Sequence, residues 1–286
     1  MQALRNAVEK AIGARLEEAA PMAVGFGFAG MRGRLEDGRR IAVKADSERR
    51  PGGLALVAFM LEELRRLSDL PVPRVIHAGE HLLIMSWIDH DGGGLTAAGE
   101  RQAAELLADL HARRFERFGY RRDTVIGSLL QPNGEMESWV AFFAGRRLMH
   151  MATRAHGEGA LPDRLMSRLE RLAERLGEFL TEPDHPALIH GDVWGGNVLA
   201  RGGHVAGFVD PAIYVAHPEI ELAFTTMFGT FGTAFFDAYE ALAPLEPGFH
   251  DTRRRIYNLY PALVHLRLFG TGYLRPIEDT LRRIGM

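Results

Sequence analysis

Between Leu188 and Ala200 the chain reads LIHGDVWGGNVLA, and GFVDPA follows at Gly207 to Ala212. Three side chains here carry hard oxygen atoms at set intervals: Asn197 stands five residues after Asp192, and Asp210 thirteen after Asn197. An uncoordinated carboxylate can orient an attacking hydroxyl and accept its proton. A second carboxylate and an amide oxygen can hold magnesium, which takes only one or two carboxylates from protein and completes its shell with water and phosphate oxygens. Phosphoryl transfer from a nucleotide to an alcohol needs these parts together. On this reading Asp192 is the catalytic base, Asn197 and Asp210 are the metal ligands, and His190 braces the loop by hydrogen bonding.

Order and spacing reproduce the catalytic loop and metal-binding carboxylate of the protein-kinase template. A polar loop between buried strands would account for the polarity, but not for both intervals at once. Upstream, Gly25, Gly27 and Gly30 match G-x-G-x-x-G, a weak signal alone. A dinucleotide-binding turn would open a helix at this point, whereas a hairpin pattern follows and ends at Ile41-Ala-Val-Lys44, like the strand lysine of kinases. It is not a Walker A loop either, because Met31 and Arg32 occupy the Lys and Ser/Thr positions. The three glycines are therefore expected over the phosphates, and Lys44 on the α- and β-phosphates of ATP. Glu62 and Glu63, the acids of the next helix, are the candidate partners of Lys44. Ser86, Trp87 and Ile88 end the last strand before a glycine linker, where a kinase hinge hydrogen-bonds adenine.

The elements that must hold these residues follow from hydrophobic periodicity. An amphipathic first helix places Leu4, Val8, Ile12 and Leu16 on one face, and Arg32 to Lys44 reads as a β-hairpin around Glu36, Asp37 and Gly38. A helix over residues 54–67 has its apolar positions at three- and four-residue steps, with Glu62, Glu63, Arg65 and Arg66 outward. Strands follow at Arg74 to Ala78 and His81 to Trp87. After the linker Gly92 to Gly94 the pattern turns helical, over Thr96 to Arg114, Ser138 to Met151, Pro162 to Leu180, Glu219 to Tyr239 and Thr252 to Phe269, interrupted by a strand-rich stretch at Ala187 to Asp210. The expected fold is α+β and bilobal, protein-kinase-like. A small antiparallel nucleotide-binding lobe with one internal helix, residues 1–88, precedes a larger helical catalytic and substrate-binding lobe, residues 89–286.

Composition narrows the function classes. The 286 residues carry 34 basic and 37 acidic side chains, a net charge of −3 that gathers neither nucleic acid nor an anionic membrane. With no cysteine there is no disulfide, thiolate metal site or cysteine nucleophile, and twelve histidines include no HExxH pair to suggest zinc. No apolar run reaches the ~20 residues of a membrane span, and Glu9, Glu17 and Glu18 are unlike a targeting peptide, so a cytoplasmic protein is expected, monomeric or homodimeric.

The chain also resembles the fructosamine (ketosamine) kinases, relatives of the aminoglycoside and choline kinases. HGDVWGGN is similar to their catalytic loop, with Trp194 more telling than HGD. IGSLLQPNG, the W-x-x-FF-x-x-RRL pattern from Trp139 to Leu148, DPAIYVAHPEIELAFTTMFGTF from Asp210, and LYPALVHLRLFGTGY from Leu259 resemble further family segments. The resemblance implies transfer of the ATP γ-phosphate to a sugar hydroxyl, typically O3, of a ketosamine formed by glycation of lysine, free or protein-bound, after which the adduct falls apart and releases the amine. It implies Trp194 against the sugar or its amine arm. Three departures stand near the site: Leu54 to Met60 replaces an acidic helix start, Ala216, His217 and Pro218 interrupt the DPA segment, and Glu221 stands at a position commonly Asp. The alternatives are a kinase of another small hydroxylated amine, aminoglycoside- or choline-kinase-like, and a nucleotide-binding regulatory module without catalysis.

Overall fold

The structure is a computed structural model and describes residues 1–25, 27–48 and 52–286. Helix α1 (Gln2–Ile12) stops at Gly13, whose φ of 67° caps it, and the chain turns into an antiparallel sheet. Its strands are β1 (Leu16–Met22), β2 (Ala29–Leu35), β3 (Arg40–Ala45), β4 (Val75–Ala78) and β5 (Leu82–Ser86), in the order β1-β2-β3-β5-β4. The register decides what faces where. Side chains alternate across a strand, so Ile41 and Val43 of β3 join Val8, Leu16, Met31, Leu35 and Ile84 in one apolar cluster, while Ala42 and Lys44 face the other way, into a cleft. Leu16, read from sequence as the end of α1, instead opens β1 with its side chain fully buried in that cluster. Of the glycine-rich turn, Phe26 lies outside the described residues.

Helix α2 (Gly53–Leu67) connects β3 to β4 and buries Leu54, Ala58, Leu61 and Leu64 in a core continuous with the helical part. That part contains α3 (Ala97–His111), α4 (Trp139–Phe142), α5 (His150–Gly157), α6 (Asp163–Glu174), α7 (Glu219–Met227), α8 (Thr233–Leu242), α9 (Arg254–Tyr257), α10 (Leu259–Phe269) and α11 (Leu274–Arg283). A wider π-helical segment, Phe143–Met149, runs between α4 and α5. Three short two-stranded antiparallel sheets lie among the helices: β6 (Thr124–Ile126) with β7 (Leu129–Gln131), β8 (Ala187–Ile189) with β11 (Tyr214–Ala216), and β9 (Val198–Arg201) with β10 (His204–Phe208).

The helical core is organised around buried aromatics. Trp139 packs among Phe118, Phe142, Phe143 and Tyr257, and its indole N–H donates to the Tyr257 hydroxyl at 3.0 Å. The Glu182 carboxylate caps the first turn of α4 by accepting from the Trp139 and Val140 N–H groups at 2.7 and 3.2 Å, as the positive end of a helix favours. The expected run from Glu219 to Tyr239 divides into α7 and α8 around Gly229 and Gly232. Among the described residues no helix is long and apolar enough to cross a membrane.

Candidate active site

Pairing of β8 with β11 and of β9 with β10 folds the loop 190–197 and the residues around Asp210 against each other. Tyr214 lies opposite Ile189, the Ala212 N–H donates to the His190 carbonyl at 2.8 Å, and the Val209 N–H to the Asn197 carbonyl at 3.0 Å. Gly191 makes this closeness possible, since it has φ 85° and a Cβ there would lie 2.1 Å from the Ala212 carbonyl oxygen. Asp210 has φ 55°, the one positive φ outside glycine among the described residues, a strained geometry typical of functional positions.

Asn197 is locked to the proposed base. Its Nδ2 donates to the Asp192 carbonyl at 2.9 Å and to Asp192 Oδ2 at 2.8 Å, which leaves Oδ1 as the free acceptor on a side chain that lines the cleft. Lys44 is 7% exposed, and its ammonium is hydrogen-bonded to Asp210 Oδ1. Burial pushes the half-buried Asp192 carboxyl up to about 7, helped by the Asp210 and Glu221 charges and opposed by the Asn197 amide and Lys44.

The loop is braced from beneath. Glu221, in the first turn of α7, is buried and accepts hydrogen bonds from the Gly191 and His190 N–H groups at 2.5 and 3.2 Å. His111 Nε2 lies 2.9 Å from the same carboxylate, and His111 Nδ1 lies 2.8 Å from the Tyr239 hydroxyl. Burial alone would raise the Glu221 carboxyl, but these donors and the neighbouring imidazoles hold it below its ordinary value. His190 Nδ1 accepts from the Asp192 N–H at 3.3 Å, which supports the bracing role read from sequence, and burial lowers its pKa.

Lys44, Ser86, Trp87, Ile88, Asp192, Trp194, Asn197 and Asp210 all line one cleft of about 810 Å³. That is near the top of the ~300–1,000 Å³ range of small-molecule sites, as two reactants would require. Of the three glycines only Gly25 reaches its wall. Gly30 is demanded by the sheet instead, because a Cβ there would lie 2.3 Å from the Met22 carbonyl oxygen. The Trp87 N–H donates to the Arg40 carbonyl at 3.0 Å and the Ser86 N–H to the Arg74 carbonyl at 2.8 Å, so of residues 86–88, expected at a hinge, Ile88 alone has its amide outside the backbone hydrogen bonds of the described residues.

Neither helix acid pairs with Lys44. Glu62 is exposed, and Glu63, placed outward by the sequence pattern, is 5% exposed and accepts from the Tyr120 hydroxyl at 2.5 Å, with Arg66 and Arg121 at 3.0 and 2.9 Å. This network ties α2 to the helical part. A region that sequence reading missed lies beyond Trp194, where Phe228, His265, Phe269 and Tyr273 close the cleft.

The family model for fructosamine kinase matches residues 2–285. The chain belongs to the fructosamine kinase family. A "probable ketoamine kinase" of Synechocystis sp. is 35% identical over 233 residues, covering 79% of this chain and 76% of the relative. The chloroplastic protein-ribulosamine 3-kinase of Arabidopsis thaliana is 30% identical over 241 residues, 79% of this chain and 72% of the relative. A crystal structure described as a fructosamine-3-kinase, from Thermobifida fusca, superposes with a TM-score of 0.90 at 31% identity, covering 99% of this chain and 98% of the other. The aminoglycoside phosphotransferase APH(4)-Ia in complex with ADP and hygromycin B shares the fold, with a TM-score of 0.70 at 15% identity over 99% of both chains. The bilobal kinase-like architecture expected from sequence is thus the fold of this family member.

Proposed function

We propose that this chain is an ATP-dependent ketosamine kinase that phosphorylates a sugar hydroxyl, O3 by family likeness, of a fructosamine or ribulosamine. The observation that carries the reading is the convergence of Lys44, Asp192, Asn197 and Asp210 on the wall of one cleft large enough for nucleotide and acceptor. In this mechanism residues 1–88 hold the nucleotide, with adenine at the Ile88 amide, the phosphates beside Gly25, and Lys44 on the α- and β-phosphates. Residues 89–286 hold the acceptor. Asp192 orients the sugar hydroxyl in line with the γ-phosphate and takes its proton as the new P–O bond forms and the bond to the ADP oxygen breaks.

Asp210 and the free Oδ1 of Asn197 fit magnesium, because both are hard oxygen donors. The described residues contain no cluster of three or more His, Asp or Glu that would suggest a site made by protein alone. When bound, the ion would neutralise charge on the phosphate oxygens. Phosphate on C3 is a leaving group once C1 and C2 enolise, so the product adduct decomposes and frees the amine. A non-catalytic nucleotide-binding module is disfavoured by a complete set of base and ligands and by the raised pKa of Asp192, a pattern characteristic of catalytic groups. The test is incubation with Mg-ATP and fructosyl-lysine, followed by ³¹P NMR. A new phosphomonoester that disappears in Asp192→Asn is expected. Absence of the signal across fructosyl and ribulosyl amines would overturn the reading.

A further inference from the structure

We propose that a pocket on the far side of α10 from the cleft is a second binding site, for a small phosphate monoester held by Arg254 and Arg255. The proposal is independent of the kinase reading, since the pocket shares no lining residue with the cleft. Its volume is about 270 Å³, and its walls come from α7, α9, α10 and α11. Thr226 and Met227, at the end of α7, line it, whereas the next residue, Phe228, lines the cleft. Helical periodicity divides α10 in the same way. Leu259 and Ala262 line the pocket, and Val264, His265 and Leu268, on the opposite side of the helix, line the cleft.

Charge distinguishes this pocket from a mere gap between helices. Arg254 and Arg255 are its only charged lining residues, and both are half-buried. Neither pairs with a carboxylate among the described residues, because the acids of the surrounding elements are committed elsewhere. Glu219 holds Arg253 at 2.6 Å, Glu278 holds Arg164 at 2.5 Å and Asp279 holds Arg282 at 2.6 Å. Arg255 Nε donates to the Asp251 carbonyl at 3.0 Å, which leaves its two terminal nitrogens free. Two cations on one wall, partly removed from water, repel each other, and an anion from solution relieves that cost. Guanidinium forks match phosphate oxygens in bidentate pairs, and a dianion answers two of them. The rest of the wall describes what the phosphate carries. Thr280 offers a hydroxyl without a hydrogen-bond partner among the described residues, and Met227, Leu259 and Ala262 form an apolar floor. The volume falls below the ~300–1,000 Å³ of drug-sized sites, small for a nucleotide and suited to a phosphate on a short hydroxylated carbon chain.

Calorimetric titration of the whole chain tests this, with glycerol 3-phosphate as the ester, inorganic phosphate as the bare anion, glycerate as the carboxylate counterpart and glycerol as the neutral one. The wild type should bind one equivalent of glycerol 3-phosphate, at least tenfold tighter than phosphate or glycerate, and should not bind glycerol. Arg254→Gln and Arg255→Gln should each weaken the ester at least tenfold. Lys44→Met, which removes a cation from the cleft, should leave its affinity within twofold of wild type. Thr280→Glu supplies the missing carboxylate from the opposite wall, so it should abolish binding and raise the thermal midpoint of the ligand-free protein. No saturable binding of the ester would overturn the proposal, as would equal affinity for inorganic phosphate, the behaviour of an adventitious ion only. Loss of binding in Lys44→Met but not in the arginine variants would place the ester in the cleft and overturn it equally. Should an arginine variant not fold, Thr280→Glu decides, because wild-type affinity there refutes a site between α9 and α11.

Discussion

Replacing Asp192 with Asn should abolish turnover and at the same time make the ligand-free protein more stable at alkaline than at acid pH, relative to wild type. The folded protein raises this carboxyl from 3.8 to about 7, mainly by burial. The unfolded chain therefore releases the proton near pH 4 while the native state retains it to about 7. Native stability is unaffected by the group below pH 4, declines progressively between pH 4 and 7, and bears the whole penalty above pH 7. A shift of roughly three pH units corresponds to about 4 kcal/mol at 1.36 kcal/mol per unit. Screening by solvent in the open cleft reduces this to about 2–4 kcal/mol. Asparagine keeps the acceptor oxygen for Asn197 and carries no proton to lose. Urea unfolding of both proteins at pH 5 and pH 8 measures the effect: about a third of the penalty is already present at pH 5, so the stability difference should move in favour of the variant by about 1–3 kcal/mol from the lower to the higher pH. Equal differences at both values would refute the claim that burial strains this carboxylate, and with it the basis for its strength as a base.

Other outcomes follow from the same geometry. At saturating Mg-ATP, kcat/KM for the acceptor should show an acid limb with its midpoint below 7, because a cation at Asp210 cancels one of the two main influences that raise Asp192. A pH–rate profile with a midpoint above 7 would contradict this. Lys44→Met should lower kcat/KM for ATP by about 10²–10³, measured against an unchanged fold by circular dichroism. Glu63→Gln weakens bonds to Tyr120, Arg66 and Arg121 and should cost about 1–3 kcal/mol of stability, with the KM for ATP within twofold. A tenfold rise would mean that the helix acid serves Lys44 after all. Gly191→Ala should destabilise by about 2 kcal/mol or more and suppress activity, since the added carbon meets the Ala212 carbonyl.

The proposed catalytic residues stand out in the sequence because the chemistry they are proposed for fixes both residue type and interval within one short segment, and the structure brings them to one cleft. The hairpin, α2 and the long helices could be read because each shows one burial period. Where a contact spans the chain, local pattern misled. Glu63 looks like a solvated helix face, and only the arrival of Tyr120 and Arg121, nearly sixty residues later, makes its burial tolerable. Leu16 continues the apolar stripe of α1, and what separates it is a left-handed cap at Gly13 that periodicity does not register. The aromatic end of the cleft draws on residues 194, 228 and 265–273, which lie in three separate segments of the chain whose meeting no local pattern announces. The glycine motif was legible as a pattern but not in detail, since Gly30 answers to a neighbouring strand's carbonyl.

The ion pair between Lys44 and Asp210 has a consequence for the order of events. On the proposed roles of Lys44 as phosphate binder and Asp210 as metal ligand, each group satisfies the other in the resting cleft, so neither free nucleotide nor free divalent ion would find its receptor undisguised. A triphosphate alone must draw the ammonium away and strand a carboxylate; the ion alone must do the reverse. Arriving together, they exchange one internal neutralisation for two external ones, which makes the preformed metal–nucleotide complex the natural entrant.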